Sequence, residues 1–171
     1  KFAMEGLMKL FVRAFTGLLL AGSVSAGASA QTKWDLPTPY PDSNFHTRNV
    51  VQFAADVDKA TNGSLKIQVH SAGSLIKHPE IKRAVRQGTA PIGEILESLA
   101  LNEAPVYGID SVPFLAAGYD ASKKLYAAQK PFLEKQLASE GLMLLYSVAW
   151  PPQGIYAKKT ITKIEDLKGL K

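Results

Sequence analysis

The spacing of hydrophobic side chains changes along the chain, and each spacing predicts a different element. Within residues 44–61, Val50, Phe53 and Ala54 recur at the interval of a helix that buries one face. Within residues 64–70, apolar and polar side chains alternate one by one, which predicts a half-buried strand. The chain is therefore expected to mix helices and strands. The N-cap of the first helix is expected among residues 42–44.

Proline and glycine mark the ends of two more helices. Pro79 suits the first position of a short helix, because proline fixes a helical φ. Gly88 suits the end of this helix, because glycine readily adopts the left-handed conformation that follows the last turn. A longer helix is predicted over residues 120–141, with Asp120 as its cap. We expect a kink or break in this helix before Pro131, since the residue before a proline disfavours helical geometry.

Three further segments predict strands, at residues 33–38, 90–96 and 142–150. The last one is continuously apolar, so we expect a strand that is covered on both faces. Strands separated by helices indicate an α/β fold with a central parallel or mixed sheet flanked by helices. Ligands of such sheets bind beyond the carboxyl ends of the strands. We therefore expect residues 150–156 to form one wall of a cleft.

The first 30 residues have the order of a secretory signal peptide. Lys9 and Arg13 precede a short apolar run, and small residues follow up to Ala30. The apolar run is too short for a stable membrane-spanning helix, although an uncleaved anchor is the alternative. The predicted organisation is thus a signal peptide over residues 1–30 and one domain over residues 31–171, exported to the periplasm.

Charge and cysteine content narrow the class of protein. Residues 1–30 hold three basic and one acidic side chain, so without them the net charge falls from +5 to +3. This mild charge does not indicate a nucleic-acid partner. The chain has no cysteine, and an exported protein without disulfides fits the bacterial periplasm and depends on its packed core.

The residue patterns that catalysis requires are missing. The sequence has no cysteine nucleophile, no G-x-S-x-G elbow and no glycine-rich phosphate or dinucleotide loop. Its three histidines lack the spacing of a zinc site, so neither a metal nor a cofactor is expected. Glu94 and Glu97 lie three residues apart at the end of a predicted strand, and a continuing strand would place them on opposite faces. Solvent exposure of one of them is the simpler interpretation.

Several polar and aromatic residues near the predicted strand ends have two interpretations. Trp150 precedes two prolines, so its ring either packs in the core or stacks on a ligand to which Gln153 hydrogen-bonds. His78 either caps its helix or contributes to an anion site at the helix N-terminus. Lys77 and the basic residues within 82–86 are expected to form a solvated surface.

Taken together, several segments resemble the periplasmic solute-binding subunit of tripartite ATP-independent periplasmic (TRAP) transporters, the DctP family. The most specific segments are TNGSLKIQV, GSLIKHPEIKRAVRQG, PFL and DLKGLK, and their order extends the resemblance over residues 33–171. The resemblance implies a periplasmic-binding-protein-like lobe. It also implies that this chain is a truncated N-terminal lobe and that a second lobe is missing from it.

The function implied by the resemblance is that of a receptor rather than an enzyme. Such a receptor closes on a small organic acid and delivers it to the membrane permease subunits of the transporter. The resemblance implies ligand contacts from the first strand end, from the start of the helix that begins at HPE and from the third strand end, and the segment after the last predicted strand adds Trp150 and Gln153. The candidate residues are Tyr40, His46, His78, Glu94, Glu97, Trp150 and Gln153.

Two arginine positions of the family give information about the chemical class of the ligand. In the family, an arginine that pairs with the ligand carboxylate follows the DLKGLK pattern, so it is expected just past Lys171. Sialic-acid-binding members carry another arginine at the position of Gln153, which favours a less charged, partly apolar acid here. The alternative function is an exported α/β hydrolase whose catalytic residues lie beyond Lys171.

Overall fold

A short parallel sheet and its connecting helix form the first half of the fold. The structure, a computed structural model, describes residues 31–152, 154 and 156–170. Strands β1 (Thr32–Pro37) and β2 (Leu65–His70) pair in parallel, with Thr32 opposite Leu65 and Pro37 opposite His70. Helix α1 (Phe45–Ala60) connects them. Both strands and this helix lie where the sequence pattern predicts them.

Two further α-helices and three 3₁₀ helices complete the secondary structure of the described residues. Helix α2 spans His78–Arg86 and helix α3 spans Gly118–Ser139. The 3₁₀ helices are Glu97–Ala100, Pro105–Ser111 and Ile164–Leu167.

The helix ends follow local chemistry in most cases. Asn44 caps α1, because its side-chain oxygen accepts a hydrogen bond from the His46 N–H at 2.9 Å. Gly88, with a φ of +73°, ends the α2 turn in the left-handed region as predicted. Pro79 lies one position later than predicted, since His78 is the first residue of α2 and Lys77 is its N-cap. The alternative that His78 caps the helix is therefore wrong.

Helix α3 differs from its prediction at two places. It begins at Gly118, and Asp120 lies in the first turn, where its charge interacts favourably with the free N–H groups of the helix. It also continues through Pro131 without a break. A proline inside a helix costs about 3 kcal/mol. Leu133 and Leu137, which are buried on the same helix two and six residues after Pro131, pack into the core and offset this cost.

The predicted strand at residues 90–96 is wrong, because this segment is extended but forms no sheet ladder. One backbone hydrogen bond joins it to the end of β1, from the Glu94 N–H to the Pro37 carbonyl at 3.0 Å. Pro91 has no N–H to donate. At Gly93, a Cβ atom would come within 2.6 Å of the side chain of Ile81, which is fully buried. Glycine therefore allows the close approach of this segment to α2.

The predicted strand at residues 142–150 is also wrong. Leu142 and Leu144 pack on the core, but Met143 is 79% exposed, so the segment is not covered on both faces. A strand needs hydrogen-bond partners on a neighbouring strand. Among the described residues only β1 and β2 pair in a sheet, so residues 142–150 form no sheet ladder.

The core has two parts. Leu36, Val50 and Ile92 pack between the sheet and α1, together with half-buried apolar side chains of β1, β2 and α1. The second part lies under α3, where Leu133 and Leu137 pack on Tyr107 of the second 3₁₀ helix. The sequence pattern of α1 predicted the first part, since Val50 and Ala54 lie on its buried face.

A largely buried ion network joins α2 to the end of α3. Lys82 Nζ lies 2.7 Å from carboxylate oxygens of both Glu103 and Glu140, and 4.3 Å from the centre of the Tyr107 ring. The Tyr107 hydroxyl donates to Glu140 at 2.7 Å, as does the Gln136 amide at 2.9 Å. The expectation that the basic side chains of α2 are all solvated is therefore wrong for Lys82, whose side chain is only 11% exposed.

The network sets the charge of Glu140. Burial raises the pKa of Glu140, but hydrogen bonds from Gln136, Lys82 and Tyr107 outweigh burial and lower this pKa to about 2. Because the folded pKa lies below the ordinary value of 4.5, the stabilisation is present above pH 4.5 and is lost as the pH falls towards 2.

Replacing Lys82 by methionine keeps the aliphatic stem and leaves the Glu140 carboxylate without its cation. We expect Lys82→Met to lower the free energy of unfolding by about 3 kcal/mol near pH 7, as for other broken buried pairs. The difference from wild type should shrink as the pH falls from 4.5 towards 2. Urea unfolding at several pH values measures both effects.

The matched control is Lys130→Met, which breaks the exposed pair between Lys130 and Glu134 within α3. Its effect should be small, because exposed pairs are screened by solvent. Equal destabilisation by the two variants would contradict a special role for the network around Lys82.

Candidate functional site

Five aromatic and imidazole side chains meet beyond the carboxyl end of β1. We call them the aromatic cluster: Tyr40, Phe45, His46, His78 and Trp150. They come from the loop after β1, the first turn of α1, the first turn of α2 and the end of the segment 142–150. Four of the five, all except Phe45, were individually predicted from the sequence as ligand residues.

Ring contacts hold the aromatic cluster together. Trp150 is central: its ring centre lies 4.3 Å from that of His46, 5.2 Å from Tyr40 and 5.4 Å from Phe45. Tyr40 stacks on His46 at 5.3 Å and meets His78 edge-on at 5.8 Å. Trp150 itself remains 36% exposed. It therefore contacts the protein through one part of its ring and keeps another part accessible.

Two buried threonines hold the loop that carries Tyr40. The Thr47 hydroxyl and the Ala72 N–H donate to the Tyr40 carbonyl at 3.0 and 2.8 Å. The Tyr40 N–H points at the hydroxyl oxygen of Thr38 at 3.4 Å. Because Thr38 and Thr47 are almost fully buried, the backbone of Tyr40 is fixed by contacts that exclude solvent.

Glu94 brings a carboxylate to the aromatic cluster. The Thr38 hydroxyl donates to Glu94 Oε2, and Glu94 Oε1 lies 3.6 Å from His46 Nδ1. The Glu94 side chain is only 16% exposed. Burial raises its pKa, and the hydrogen bond from Thr38 opposes this rise. Burial, with a contribution from the charge of Glu94, raises the pKa of Tyr146.

The two imidazoles of the cluster are held in their neutral forms. Burial lowers the pKa of His46 and that of His78. His78 Nε2 accepts the Leu96 N–H at 3.1 Å, so its proton lies on Nδ1. His46 Nε2 is buried and has no hydrogen-bond partner among the described residues. It is therefore a polar atom available to a ligand.

The Tyr40 hydroxyl is a second such atom. It is buried, and no described residue reaches it with hydrogen-bonding geometry. Burial and the nearby charge of Glu94 raise the pKa of Tyr40, while the adjacent Trp150 indole N–H opposes this effect without forming a well-aligned bond. The hydroxyl thus stays protonated and can donate or accept.

The structure does not bring Glu97 into the aromatic cluster. Its carboxylate accepts a hydrogen bond from the buried Gln129 amide of α3 at 2.9 Å. Burial, with a contribution from the charge of Asp110, raises the pKa of Glu97 to about 7. The expectation that one of the pair Glu94 and Glu97 is solvent-exposed is wrong, because both are partly buried. Gln153 lies outside the described residues.

Thr38 is a residue of the candidate site that the sequence pattern did not reveal. It is the last residue of the predicted strand at 33–38, and this position is its one local signal. Its importance arises from its hydrogen bond to Glu94, 56 residues later in the chain. Single-residue patterns do not report such contacts.

Metal and membrane functions find no support in the described part of the chain. No group of three or more histidine, aspartate or glutamate side chains there could hold a metal ion. Among the same residues, every helix is too short or too polar to cross a bilayer.

The fold is a parallel β-α-β unit with polar and aromatic side chains beyond its strand ends. This fold and site resemble those of an exported binding protein. Comparison with known families agrees. The chain belongs to the DctP family, described as "Bacterial extracellular solute-binding protein, family 7", whose model matches residues 38–171. Members of this family are extracytoplasmic solute receptors rather than enzymes, and the fold is that of part of a periplasmic-binding-protein-like lobe.

Three solved structures are similar over 81% of this chain and 46% of their own length. DctP6 of Bordetella pertussis, an extracytoplasmic solute receptor binding pyroglutamic acid, is 63% identical with a TM-score of 0.79. DctP7 of the same organism, also binding pyroglutamic acid, is 48% identical with a TM-score of 0.77. A marine metagenome TRAP solute-binding protein specific for pyroglutamate is 47% identical, also with a TM-score of 0.77.

A curated relative is more distant. The monocarboxylate 2-oxoacid-binding periplasmic protein of Nostoc sp. is 28% identical over 162 residues, which cover 87% of this chain and 42% of that protein. The chain thus spans less than half the length of these relatives. None of the comparisons supports the alternative of an exported hydrolase.

His78 provides a test of the geometry of the cluster. We expect its ring to be neutral near pH 7 with the proton on Nδ1, because Nε2 accepts the Leu96 N–H. Nitrogen NMR of the imidazole distinguishes the two tautomers. A proton on Nε2 at neutral pH would contradict the arrangement.

The burial of His78 predicts a pH dependence of stability. Since the folded pKa of His78 lies below 6.5, its contribution to stability is present above pH 6.5 and declines as the pH falls below that value. The variant His78→Asn retains an acceptor oxygen that does not titrate, so this part of the decline should disappear.

Proposed function

We propose that this chain is the ligand-binding part of a periplasmic receptor that binds pyroglutamate or a closely related small cyclic acid. The observation that carries the proposal is the 63% identity with DctP6, a receptor binding pyroglutamic acid, over 81% of the chain. Two further receptors of pyroglutamate are 48% and 47% identical. Sequence similarity at this level supports a shared ligand class.

The chemistry of the aromatic cluster suits such a ligand. Pyroglutamate has a small flat ring, with one N–H, one ring carbonyl and one carboxylate. Flat apolar surface on Trp150 and Tyr40 can pack on the ring faces. The unpartnered His46 Nε2 and Tyr40 hydroxyl supply polar contacts for its edges.

The ligand carboxylate requires a cation that the cluster lacks. Among the described residues, no lysine or arginine forms an ion pair with a cluster residue or with Glu94. An arginine just past Lys171, as the family resemblance implies, would supply a bidentate partner. The receptor would then close over its ligand, because only the closed state contacts the acid from both sides.

Export of the receptor and delivery of its ligand involve the whole protein. The receptor is exported by a cleaved signal peptide over residues 1–30, and it does not catalyse a reaction. It delivers its acid to the membrane permease subunits of a TRAP transporter. Residues 1–30 lie outside the described part of the chain, so this part of the proposal depends on their sequence and on the family.

Isothermal titration calorimetry on the full-length gene product tests the proposed ligand. We expect saturable binding of pyroglutamate, with much weaker or no binding of a 2-oxoacid such as pyruvate or of a sugar acid such as glucuronate. Chemical analysis of the recovered ligand should show that pyroglutamate is unchanged. Preference for either of the other acids, or turnover of pyroglutamate, would contradict the proposal.

Removal of the Trp150 side chain tests directly whether the aromatic cluster binds pyroglutamate. Since stacking and burial of an aromatic ring contribute about 1.5–3 kcal/mol, we expect Trp150→Ala to weaken pyroglutamate binding at least about tenfold. Trp150→Phe should restore part of the affinity.

Phe132→Ala is the matched control, because Phe132 is an aromatic residue of α3 that is 67% exposed and has no contact with the aromatic cluster. It should bind as wild type does. If Trp150→Ala binds pyroglutamate with unchanged affinity, Trp150 does not contact the ligand.

A further inference from the structure

The two oxygens of the Glu94 carboxylate have different environments. Oε2 accepts the hydroxyl hydrogen of Thr38. Oε1 is 3.6 Å from His46 Nδ1, which is too long for a hydrogen bond, and it receives no hydrogen bond from any described residue. One oxygen is therefore occupied by the protein, and the other lacks a donor.

The direction of the hydrogen bond from Thr38 is set by its surroundings. The Tyr40 N–H points at the Thr38 oxygen, so the hydroxyl hydrogen of Thr38 is directed to Glu94 rather than to the backbone. Thr38 is 0% exposed, and solvent does not compete for this hydroxyl. Glu94 is thereby held as a hydrogen-bond acceptor.

Nothing cationic in the described residues satisfies the second oxygen. The one ionisable base near Glu94 is His46, and burial favours the neutral form of its ring. A carboxylate oxygen that loses its solvent under a bound ligand without gaining a donor is costly. A ligand N–H placed in the aromatic cluster would remove this cost, whereas a ligand oxygen in the same position would be repelled.

We propose that Glu94 Oε1 accepts the ring N–H of the ligand, and that this contact selects a lactam over rings of the same shape that lack the donor. This inference rests on the proposed function, because pyroglutamate carries a single ring N–H. Thr38 acts as the positioning residue, since it holds the other oxygen of the carboxylate.

The expected selectivity is large. A site that is built to bond an N–H rejects the analogue without it by up to about 10⁴–10⁵-fold, because the protein group is left unpaired. The analogue that isolates this effect is the lactone 5-oxotetrahydrofuran-2-carboxylate, in which oxygen replaces the ring N–H. Its ring oxygen would face a carboxylate oxygen, so repulsion adds to the lost hydrogen bond.

The experiment compares the two ligands by calorimetry on the full-length gene product. We expect wild type to bind pyroglutamate at least about 100-fold more tightly than the lactone. In Glu94→Gln, the side-chain amide can turn its NH₂ group towards the lactone oxygen, so the preference should fall to about tenfold or less. Thermal unfolding of each variant verifies that it is folded.

Glu97→Gln is the matched control, because it removes a carboxylate three residues away that bonds to Gln129 outside the cluster. It should keep the full preference for the lactam. Equal binding of lactam and lactone by wild type would overturn the role of Glu94. An unchanged preference for the lactam in Glu94→Gln would do the same. Neither result would contradict pyroglutamate as the ligand. Failure of wild type to bind pyroglutamate at all would overturn the proposed function and this inference together.

Discussion

The site depends on the contact between the end of β1 and the extended segment that carries Glu94. Two hydrogen bonds form this contact: one from the Glu94 N–H to the Pro37 carbonyl, and one from the Thr38 hydroxyl to the Glu94 carboxylate. The first holds the backbone of the segment against the strand. The second directs a buried charge towards the aromatic cluster. Without this contact, the Glu94 carboxylate would have no defined position beside the His46 ring.

Helix α2 connects this site to the rest of the core. Its first residue, His78, contacts Tyr40 and accepts the Leu96 N–H, while Lys82 on the same helix forms the ion network with Glu103 and Glu140. A helix of nine residues thus contributes to the aromatic cluster and to the packing of α3. Movement of α2 would disturb both, so the ion network helps to keep the cluster in place.

The electrostatics of the cluster are unusual for a site that we propose to bind an acid. It offers one carboxylate, two neutral imidazoles and a tyrosine hydroxyl, and no described lysine or arginine pairs with them. Such a set recognises the uncharged part of a ligand by hydrogen-bond donors and acceptors. The charge of the ligand must be met from elsewhere, which is the role that the family resemblance gives to an arginine beyond Lys171. Charge and shape would then be recognised by different parts of the protein.

The sequence by itself determined the elements that form locally: β1, α1, β2 and α2, and the left-handed glycine after α2. Periodicity, capping and turn chemistry act over a few residues, so a single sequence reports them. Only the tertiary structure decided that residues 90–96 and 142–150 form no sheet ladder, because a strand requires a neighbouring strand, which its own sequence does not identify. The same holds for the bond from Thr38 to Glu94 and for the separation of Glu97 from the cluster, which arise from packing between distant segments.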